Sequence, residues 1–347
     1  AGVLHEGVEV GGQMCVVDSR ATEAIIAVKQ AIDEDHPRPR GRFVLTGSAN
    51  LLLMRGVSES LAGRAGYVQL WPLTRRERLG LGTTGAWSAF LETPAKEWRD
   101  LVRAMEGERT GWRDEVSRGG YPIPAHELDA DEDRALWFDG YVSTYLERDL
   151  KDLAAIENLI DFQRLMRAAC LRIGNLVNQS DFARDVGISQ PTVHRWLNLL
   201  ETSFQLLRLE PYSINRTKRL VKSPKLFWSD TGLGLPLAGG EPSGAHLENL
   251  VLMDLLAWRD GLVPRPEILF WRTSAGEEVD FVVESASGLL GIEIKATSRP
   301  ELRVAANLRA FRDEYPDRFL GGLLLHDGEA VESLGEGILA APWWKVL

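Results

Sequence analysis

The sequence predicts an α/β protein divided into four segments, and three patterns lead to this prediction. Residues 1–90 alternate short apolar stretches with an amphipathic helical pattern, which is typical of a small parallel sheet. Residues 136–240 are rich in Leu, Ala and Arg at helical spacing and include a helix-turn-helix pattern followed by strands. The pattern of residues 241–347 runs helix, strand, strand, helix, strand, as in a separate α/β module. We expect residues 91–135 to connect the first segment to the helical one.

Composition excludes several classes of protein. The 347 residues are 44% hydrophobic, as in an ordinary globular protein, and carry a formal net charge of −10. Because the chain is acidic overall, any contact with nucleic acid requires a local basic patch. Two cysteines, Cys15 and Cys170, form no disulfide framework, and no apolar run reaches the length of a membrane span. We therefore expect a cytoplasmic protein with no membrane partner.

Polar residues follow an apolar strand near the start of the chain. The strand is expected at 43–45, and Thr46, Ser48 and Asn50 come directly after it. Ligands of open α/β sheets lie beyond the carboxyl ends of the strands, where these side chains would be. The 347 residues contain no Gly-x-x-x-x-Gly-Lys-Ser/Thr loop, which would hold nucleotide phosphates. The other elements expected in this segment are a strand and a helix, at 14–17 and 21–33.

Residues 178–200 predict a helix-turn-helix. Ser180 and Ser189 are expected to cap its two helices, with Gly187 in the turn between them. The second helix carries an inward apolar stripe formed by Val193, Trp196, Leu197 and Leu200. Four polar residues near its start face outward, where a recognition helix meets base edges: Gln190, Thr192, His194 and Arg195. The alternative is a helix-turn-helix that only packs against neighbouring segments of the chain.

A strand and a basic segment after the helix-turn-helix resemble the wing of a winged-helix domain. A strand is expected at 204–209, and the following segment 214–225 reads INRTKRLVKSPK. Residues 204–225 carry six basic side chains against the single acid Glu210, so the patch can neutralise phosphates despite the acidic whole. The residues expected to contact DNA here are Arg216, Lys218, Arg219 and Lys222.

Two carboxylates and a lysine come together in a hairpin near the carboxyl terminus. Strands are expected at 279–283 and 289–296, with Asp280 on the first and Glu293 and Lys295 on one face of the second. Such a set can hold Mg²⁺ and orient an attacking water. Upstream, Glu248 at the start of a helix is a third candidate metal ligand.

This arrangement resembles the PD-(D/E)xK nuclease superfamily, in which Asp280, Glu293 and Lys295 match the motif residues. A helix at 302–315 and a strand at 319–325 complete the order of that core. Three readings stay open at this point: an active metal site, a nuclease-like fold without activity, and a Glu–Lys pair on a sheet edge.

Motifs spread over the whole chain resemble one family of bacterial and archaeal proteins. The motifs are LTGSANLLLMRGVSESLAGR (45–64), LWPLTRRE (70–77), GGYP (119–122), YLERDL (145–150), KSPKLFWSDTGL (222–233), LEN (247–249), EVDFVV (278–283) and IEIK (292–295). They resemble AAA-type ATPases whose C-terminal domain of unknown function carries a winged helix and a nuclease-like module. The resemblance implies a partial P-loop ATPase sheet, a winged-helix middle and a restriction-endonuclease-like end.

The same resemblance assigns roles around ATP. Ser48 and Asn50 fall at the position that senses the γ-phosphate, and Arg64 falls where an arginine finger is expected to act in catalysis. Asp18 follows an apolar strand and can reach a magnesium ion, but Ser19 stands where the family has a glutamate. Because the phosphate-binding loop is missing, we expect ATP binding to be impaired. The expected partners are DNA and further copies of the chain.

Three functions compete on these grounds. The first is a truncated or degenerate AAA-type ATP-binding protein whose winged helix binds DNA. The second is a metal-dependent DNA nuclease that uses the C-terminal Asp/Glu/Lys site. The third is a non-catalytic DNA-binding or scaffold protein.

Overall fold

The computed structural model describes residues 15–18, 22–34, 41–46, 63, 66, 68–82, 85–144, 156, 158–299 and 302–347. The chain forms two compact units. One comprises residues 1–68 with 152–155, and the other comprises residues 69–151 with 156–347.

The first unit contains a short parallel sheet. Strand β1 (Cys15–Asp18) is followed by helix α1 (Thr22–Glu34) and strand β2 (Phe43–Thr46), which confirms the three elements expected there. The strands pair in parallel, and the register places Asp18 beside Thr46 at their carboxyl ends. The backbone therefore brings two of the expected nucleotide-binding positions to the same sheet edge.

The second unit begins with a set of helices. Their bounds are α2 (Arg75–Arg78), α3 (Trp87–Glu92), α4 (Trp98–Ala104), α5 (Trp112–Arg118), α6 (Pro122–His126) and α7 (Asp131–Thr144), with a 3-10 turn at Ala95–Glu97. Trp98, Trp112 and Val116 are buried. Residues 91–135, which the sequence suggested as a connection, therefore contribute apolar side chains to the core of this unit.

Two helices joined by a short turn lie at residues 178–200, where the helix-turn-helix was expected. They are α9 (Gln179–Val186) and α10 (Gln190–Thr202), and the helix α8 (Leu159–Cys170) precedes them. Gly187 adopts the left-handed conformation between α9 and α10, with φ of 80°, and Ser189 accepts the backbone N–H of Thr192 as the N-cap. The cap expected at Ser180 was wrong, because Asn178 caps α9 by accepting the backbone N–H groups of Ser180 and Asp181.

A two-stranded antiparallel hairpin follows α10. Strand β3 (Leu206–Leu209) pairs with β4 (Lys225–Trp228), so the observed strand is shorter than the one expected at 204–209. The segment between them is not a simple loop, because it carries the helix α11 (Arg216–Val221). Two helices then lead to the C-terminal module, α12 (Thr231–Ala238) and α13 (Gly244–Asp260).

The C-terminal module is built on a mixed six-stranded sheet. Its strands are β5 (Glu267–Arg272), β6 (Glu278–Glu284), β7 (Leu289–Lys295), β8 (Phe319–His326), β9 (Glu332–Gly335) and β10 (Ile338–Pro342). The order is β5-β6-β7-β8-β10-β9, with β5, β6 and β7 antiparallel and with β7, β8 and β10 parallel. The strands expected near 279–283, 289–296 and 319–325 are confirmed.

Helices cover this sheet and define its core. A 3-10 turn (Leu302–Ala305) and α14 (Ala306–Glu314) connect β7 to β8, and the last helix is α15 (Trp343–Val346). Leu308 and Phe311 of α14 are buried in a cluster with Val279 and Leu324 of the sheet. No helix within the described ranges is both long enough and apolar enough to span a membrane.

Candidate functional site

The second helix of the helix-turn-helix presents a polar surface. Val193, Trp196, Leu197 and Leu200 are all buried, as the apolar stripe predicted. Gln190, His194 and Arg195 are exposed and Thr192 is half-buried, so the four residues expected at a DNA surface lie on the accessible side of α10. Ser189 and Thr192 share a hydroxyl hydrogen bond of 2.8 Å at the start of the helix.

His194 joins the two helices of the motif. Its Nδ1 lies 3.3 Å from the amide nitrogen of Gln179 on α9, and its Nε2 lies 3.0 Å from that of Asn198 on α10. Asn198 in turn accepts a 2.8 Å hydrogen bond from Arg208 on β3. A neutral imidazole accepts at only one ring nitrogen, and the Asn198 amide, whose oxygen is held by Arg208, is the group placed to donate to His194. Because His194 is engaged within the motif, Gln190 and Arg195 are the better candidates for reaching a ligand from this helix.

The basic residues between β3 and β4, which we call the hairpin segment, divide into two groups. Arg216, Lys218 and Lys222 are exposed. Arg219 is not, because its guanidinium is buried, bonds Glu267 at 2.6 Å and lies 2.7 Å from Glu284. It also lies over the ring of Tyr212. The structure therefore removes Arg219 from the surface expected to contact DNA and gives it a role in joining α11 to the sheet.

Asp280, Glu293 and Lys295 do meet at the hairpin of β6 and β7. Asp280 accepts the backbone N–H of Ile294 at 2.8 Å, which ties the carboxylate to the neighbouring strand. Glu293 is only 2% exposed, and its Oε1 lies 2.7 Å from the ammonium of Lys295. Its Oε2 is buried and has no hydrogen-bond partner among the described residues.

A second lysine, which the sequence did not indicate for this site, lies among the carboxylates. Lys225 is the first residue of β4, and its side chain is 3% exposed. Its Nζ is 2.5 Å from Glu278, 3.8 Å from Asp280 and 3.9 Å from Glu248. We call Lys225 with Glu248, Glu278, Asp280, Glu293 and Lys295 the acidic cluster.

Burial and neighbouring charges shift the pKa values within the acidic cluster. Burial, with the nearby charge of Asp280, raises the pKa of both Glu248 and Glu293 to about 8, and burial also raises the pKa of Asp280. Burial opposes the charged form of Lys225, but the carboxylates, led by Asp280, raise its pKa above the usual value. The carboxylates therefore favour the charged form of Lys225, whereas burial opposes ionisation of Glu248 and Glu293.

A divalent metal does not fit the cluster as it is arranged. Mg²⁺ and Ca²⁺ require several oxygens at about 2.0–2.6 Å from one point. Among the residues that the structure describes, no three His, Cys, Asp or Glu side chains are placed to hold a metal ion. The expected ligands Glu248 and Asp280 instead face the Lys225 ammonium at ion-pair distances.

Three of the sequence motifs meet at a buried junction whose role sequence reasoning missed. Asp230, of the SDTGL segment, accepts the backbone N–H of Gly120, of GGYP, at 2.7 Å. Gly120 in turn accepts the N–H of Leu73, of LWPLTRRE, at 2.8 Å. Gly119 has φ of 67°, and a Cβ there would lie 2.4 Å from Oδ1 of Asp230. A Cβ on Gly120 would lie 2.4 Å from the main-chain oxygen of Leu73, so close packing requires glycine at both positions.

The residues expected around a nucleotide are only partly covered. Ser48, Asn50 and Arg64 lie outside the described residues. The backbones of Asp18 and Thr46 pair with each other at the carboxyl ends of β1 and β2. Their assignment to ATP stays a prediction.

Three family models match successive parts of the chain. An AAA domain model matches residues 18–79. A domain of unknown function (DUF8612) matches residues 109–243, and a second one (DUF4143) matches residues 243–346. The boundary between the last two falls just before α13, at the break that the sequence predicted near residue 240.

Relatives in distant organisms share most of the chain. An uncharacterized protein of Mycobacterium tuberculosis is 31% identical over 323 residues, which are 90% of this chain and 64% of that protein. Uncharacterized proteins of Haemophilus influenzae and Methanocaldococcus jannaschii are 23% and 22% identical over 81% and 87% of this chain. The chain thus spans somewhat less than two thirds of the first relative. No solved structure matches significantly. The chain is therefore similar to an AAA domain over residues 18–79 and to two domains of unknown function after it.

Proposed function

We propose that this chain is the DNA-binding part of an AAA-type ATPase-like protein and that α10 is its recognition helix. The observation that carries the proposal is the division of α10 into two faces. Its apolar residues are buried against the motif, whereas Gln190 and Arg195 are exposed near its first turns. Residues at the start of a recognition helix are those that reach base edges in the major groove.

Exposed basic side chains near the helix-turn-helix can contact the phosphates of duplex DNA. Four exposed cations are available on α10 and the hairpin segment: Arg195, Arg216, Lys218 and Lys222. If each contacts one phosphate, the slope of log affinity against log salt is roughly −3.6, at about −0.9 per contact. Affinity then falls roughly 100-fold between 50 and 200 mM salt.

Fluorescence anisotropy with a labelled DNA duplex tests the proposal. Arg195→Ala is expected to weaken binding by about 1–3 kcal/mol, that is, roughly 5- to 150-fold, because one side chain that contacts DNA is lost. Arg99→Ala is the matched control, since Arg99 is an exposed arginine on α4, outside the helix-turn-helix. Equal affinities of the two variants would rule out α10 as the recognition helix.

Two exposed lysines of the hairpin segment, Lys218 and Lys222, supply a second test of the same proposal. A Lys218→Glu, Lys222→Glu double variant reverses two charges and is expected to weaken binding strongly and to make the salt slope shallower. Arg219→Ala is not informative here, because Arg219 is buried in ion pairs and its loss acts on stability. Unchanged affinity of the double variant would remove the hairpin segment from the DNA surface.

A metal-dependent nuclease is the second function that we consider. It is favoured by the meeting of Asp280, Glu293 and Lys295 on adjacent strands, in the order of the nuclease core. The position of Lys225 among the carboxylates weighs against it. Cleavage of DNA in Mg²⁺ or Mn²⁺ that is lost in Lys295→Ala would favour the nuclease, whereas cleavage unaffected by that change would indicate a contaminant.

A further inference from the structure

Lys225 has no role in DNA binding or in the nuclease motif, and its position requires an explanation. It belongs to β4 of the hairpin, whereas its carboxylate partners belong to α13 and β6. A lysine side chain that is 3% exposed lies where burial of a charge is costly unless the charge is paired. Three carboxylates from two different elements provide that pairing.

The ammonium group and a divalent cation would require the same oxygens. Glu278 is 2.5 Å from Nζ, while Glu248 and Asp280 approach the same nitrogen from 3.9 and 3.8 Å. A metal bound by Glu248 and Asp280 would lie within a few ångströms of the ammonium, and two like charges so close repel each other strongly in a buried site. The metal can enter only if Lys225 leaves.

We propose that Lys225 is the resident cation of the acidic cluster and that it excludes divalent metals from Glu248, Asp280 and Glu293. The carboxylates come from α13, β6 and β7, and a side chain from the hairpin supplies the positive charge beside Glu248 and Asp280. The ligand class that the cluster would accept without Lys225 is a hard divalent cation, because its donors are carboxylate oxygens. Exclusion of metal is independent of DNA binding by α10.

Titration with Mn²⁺, with free metal measured by electron paramagnetic resonance, tests the proposal. The unaltered protein is expected to show no saturable site below about 1 mM, the weak end of protein carboxylate sites. Lys225→Ala is expected to bind one Mn²⁺ at least about tenfold more tightly than the unaltered protein, and a further Glu248→Gln change is expected to abolish the gain. Lys225→Arg, which keeps the charge, is the matched control and is expected to stay free of metal.

Either of two results would overturn the proposal. One is stoichiometric Mn²⁺ binding by the unaltered protein that is lost in Glu248→Gln. The other is a folded Lys225→Ala variant, judged by circular dichroism, that binds Mn²⁺ no better than the unaltered protein.

A second measurement needs no variant and serves if Lys225→Ala fails to fold. In reductive methylation followed by mass spectrometry, Lys225 is expected to react at least about tenfold more slowly than the exposed Lys218, because reaction requires local opening. Millimolar Mn²⁺ is expected to leave the Lys225 rate unchanged. Faster labelling of Lys225 in Mn²⁺ would mean that metal displaces the lysine, and the proposal would then be wrong.

Discussion

Asp230 joins two motifs that lie 110 residues apart, and its loss should destabilise the second unit. Its Oδ1 accepts the backbone N–H groups of Gly232 and Leu233 at 2.8 and 3.1 Å, as the N-cap of α12. Its Oδ2 accepts the N–H of Gly120 at 2.7 Å. The residue is 1% exposed, so water cannot replace these bonds without rearrangement. The variant Asp230→Ala removes both acceptor oxygens and with them these three hydrogen bonds.

The expected loss follows from these bonds. Removal of an N-cap side chain costs about 1 kcal/mol. A buried N–H group left without an acceptor costs about 1–3 kcal/mol, and Gly120 would carry such a group. The free energy of unfolding of Asp230→Ala should therefore fall by about 2–4 kcal/mol. Asp230→Asn keeps one acceptor oxygen and should lose less, because either the cap or the bond from Gly120 can persist.

Chemical denaturation followed by tryptophan fluorescence measures this difference. The matched control is Asn178→Ala, which removes the exposed N-cap of α9 and leaves no buried donor. That variant should lose about 0.5–1 kcal/mol. If Asp230→Ala costs no more than Asn178→Ala, the bond to Gly120 contributes nothing and the reasoning about the junction is refuted.

Three further predictions concern pH, a buried arginine and ATP. Burial raises the pKa of Asp254 to about 6. The contribution of this carboxyl to the free energy of unfolding should therefore fall by up to about 3 kcal/mol as pH rises from 4 to 6. In denaturation at several pH values, Asp254→Asn should lack this dependence of the free energy of unfolding on pH. Arg75→Met should lower the free energy of unfolding by about 2–4 kcal/mol, because Arg75 donates to the main-chain oxygens of Trp344 and Leu347, and an unchanged midpoint would contradict this. A fluorescent ATP analogue should show no saturable binding to these 347 residues at micromolar concentration, whereas tight binding would mean that the phosphate loop is dispensable.

The helix-turn-helix shows which features a sequence determines well. Its signals are local: helical spacing of Val193 and Trp196, a glycine that permits positive φ, and a serine cap before Pro191. Each acts within one or two turns of the chain, so residue types alone identify it. The first cap was misplaced because Asn178 and Ser180 are both good caps, and only the geometry of the helix start decides between them.

The acidic cluster shows what a sequence cannot determine. Alternation along β7 correctly brings Glu293 close to Lys295, and the hairpin brings Asp280 near them. Lys225, however, precedes Asp280 by 55 residues and reaches it only through the docking of β4 against α13 and β6. In the sequence it is one of several lysines in a basic stretch, and no local pattern separates it from Lys222.

The basic stretch of residues 204–225 thus serves two purposes. Arg208 pairs with Glu201, Arg219 with Glu267 and Glu284, and Lys225 with the acidic cluster. These three of the six cations have side chains that are mostly buried and hold the hairpin to its neighbours, whereas Arg216 lies 3.6 Å from Glu267 but keeps its side chain 74% exposed. Only the other half can meet phosphates. A count of basic residues therefore overstates the electrostatic part of DNA affinity about twofold, because each buried pair removes one phosphate contact and about 0.9 from the salt slope. A measured slope near −6 would require the buried pairs to open when DNA binds, whereas a slope near −3.6 means that the hairpin stays docked.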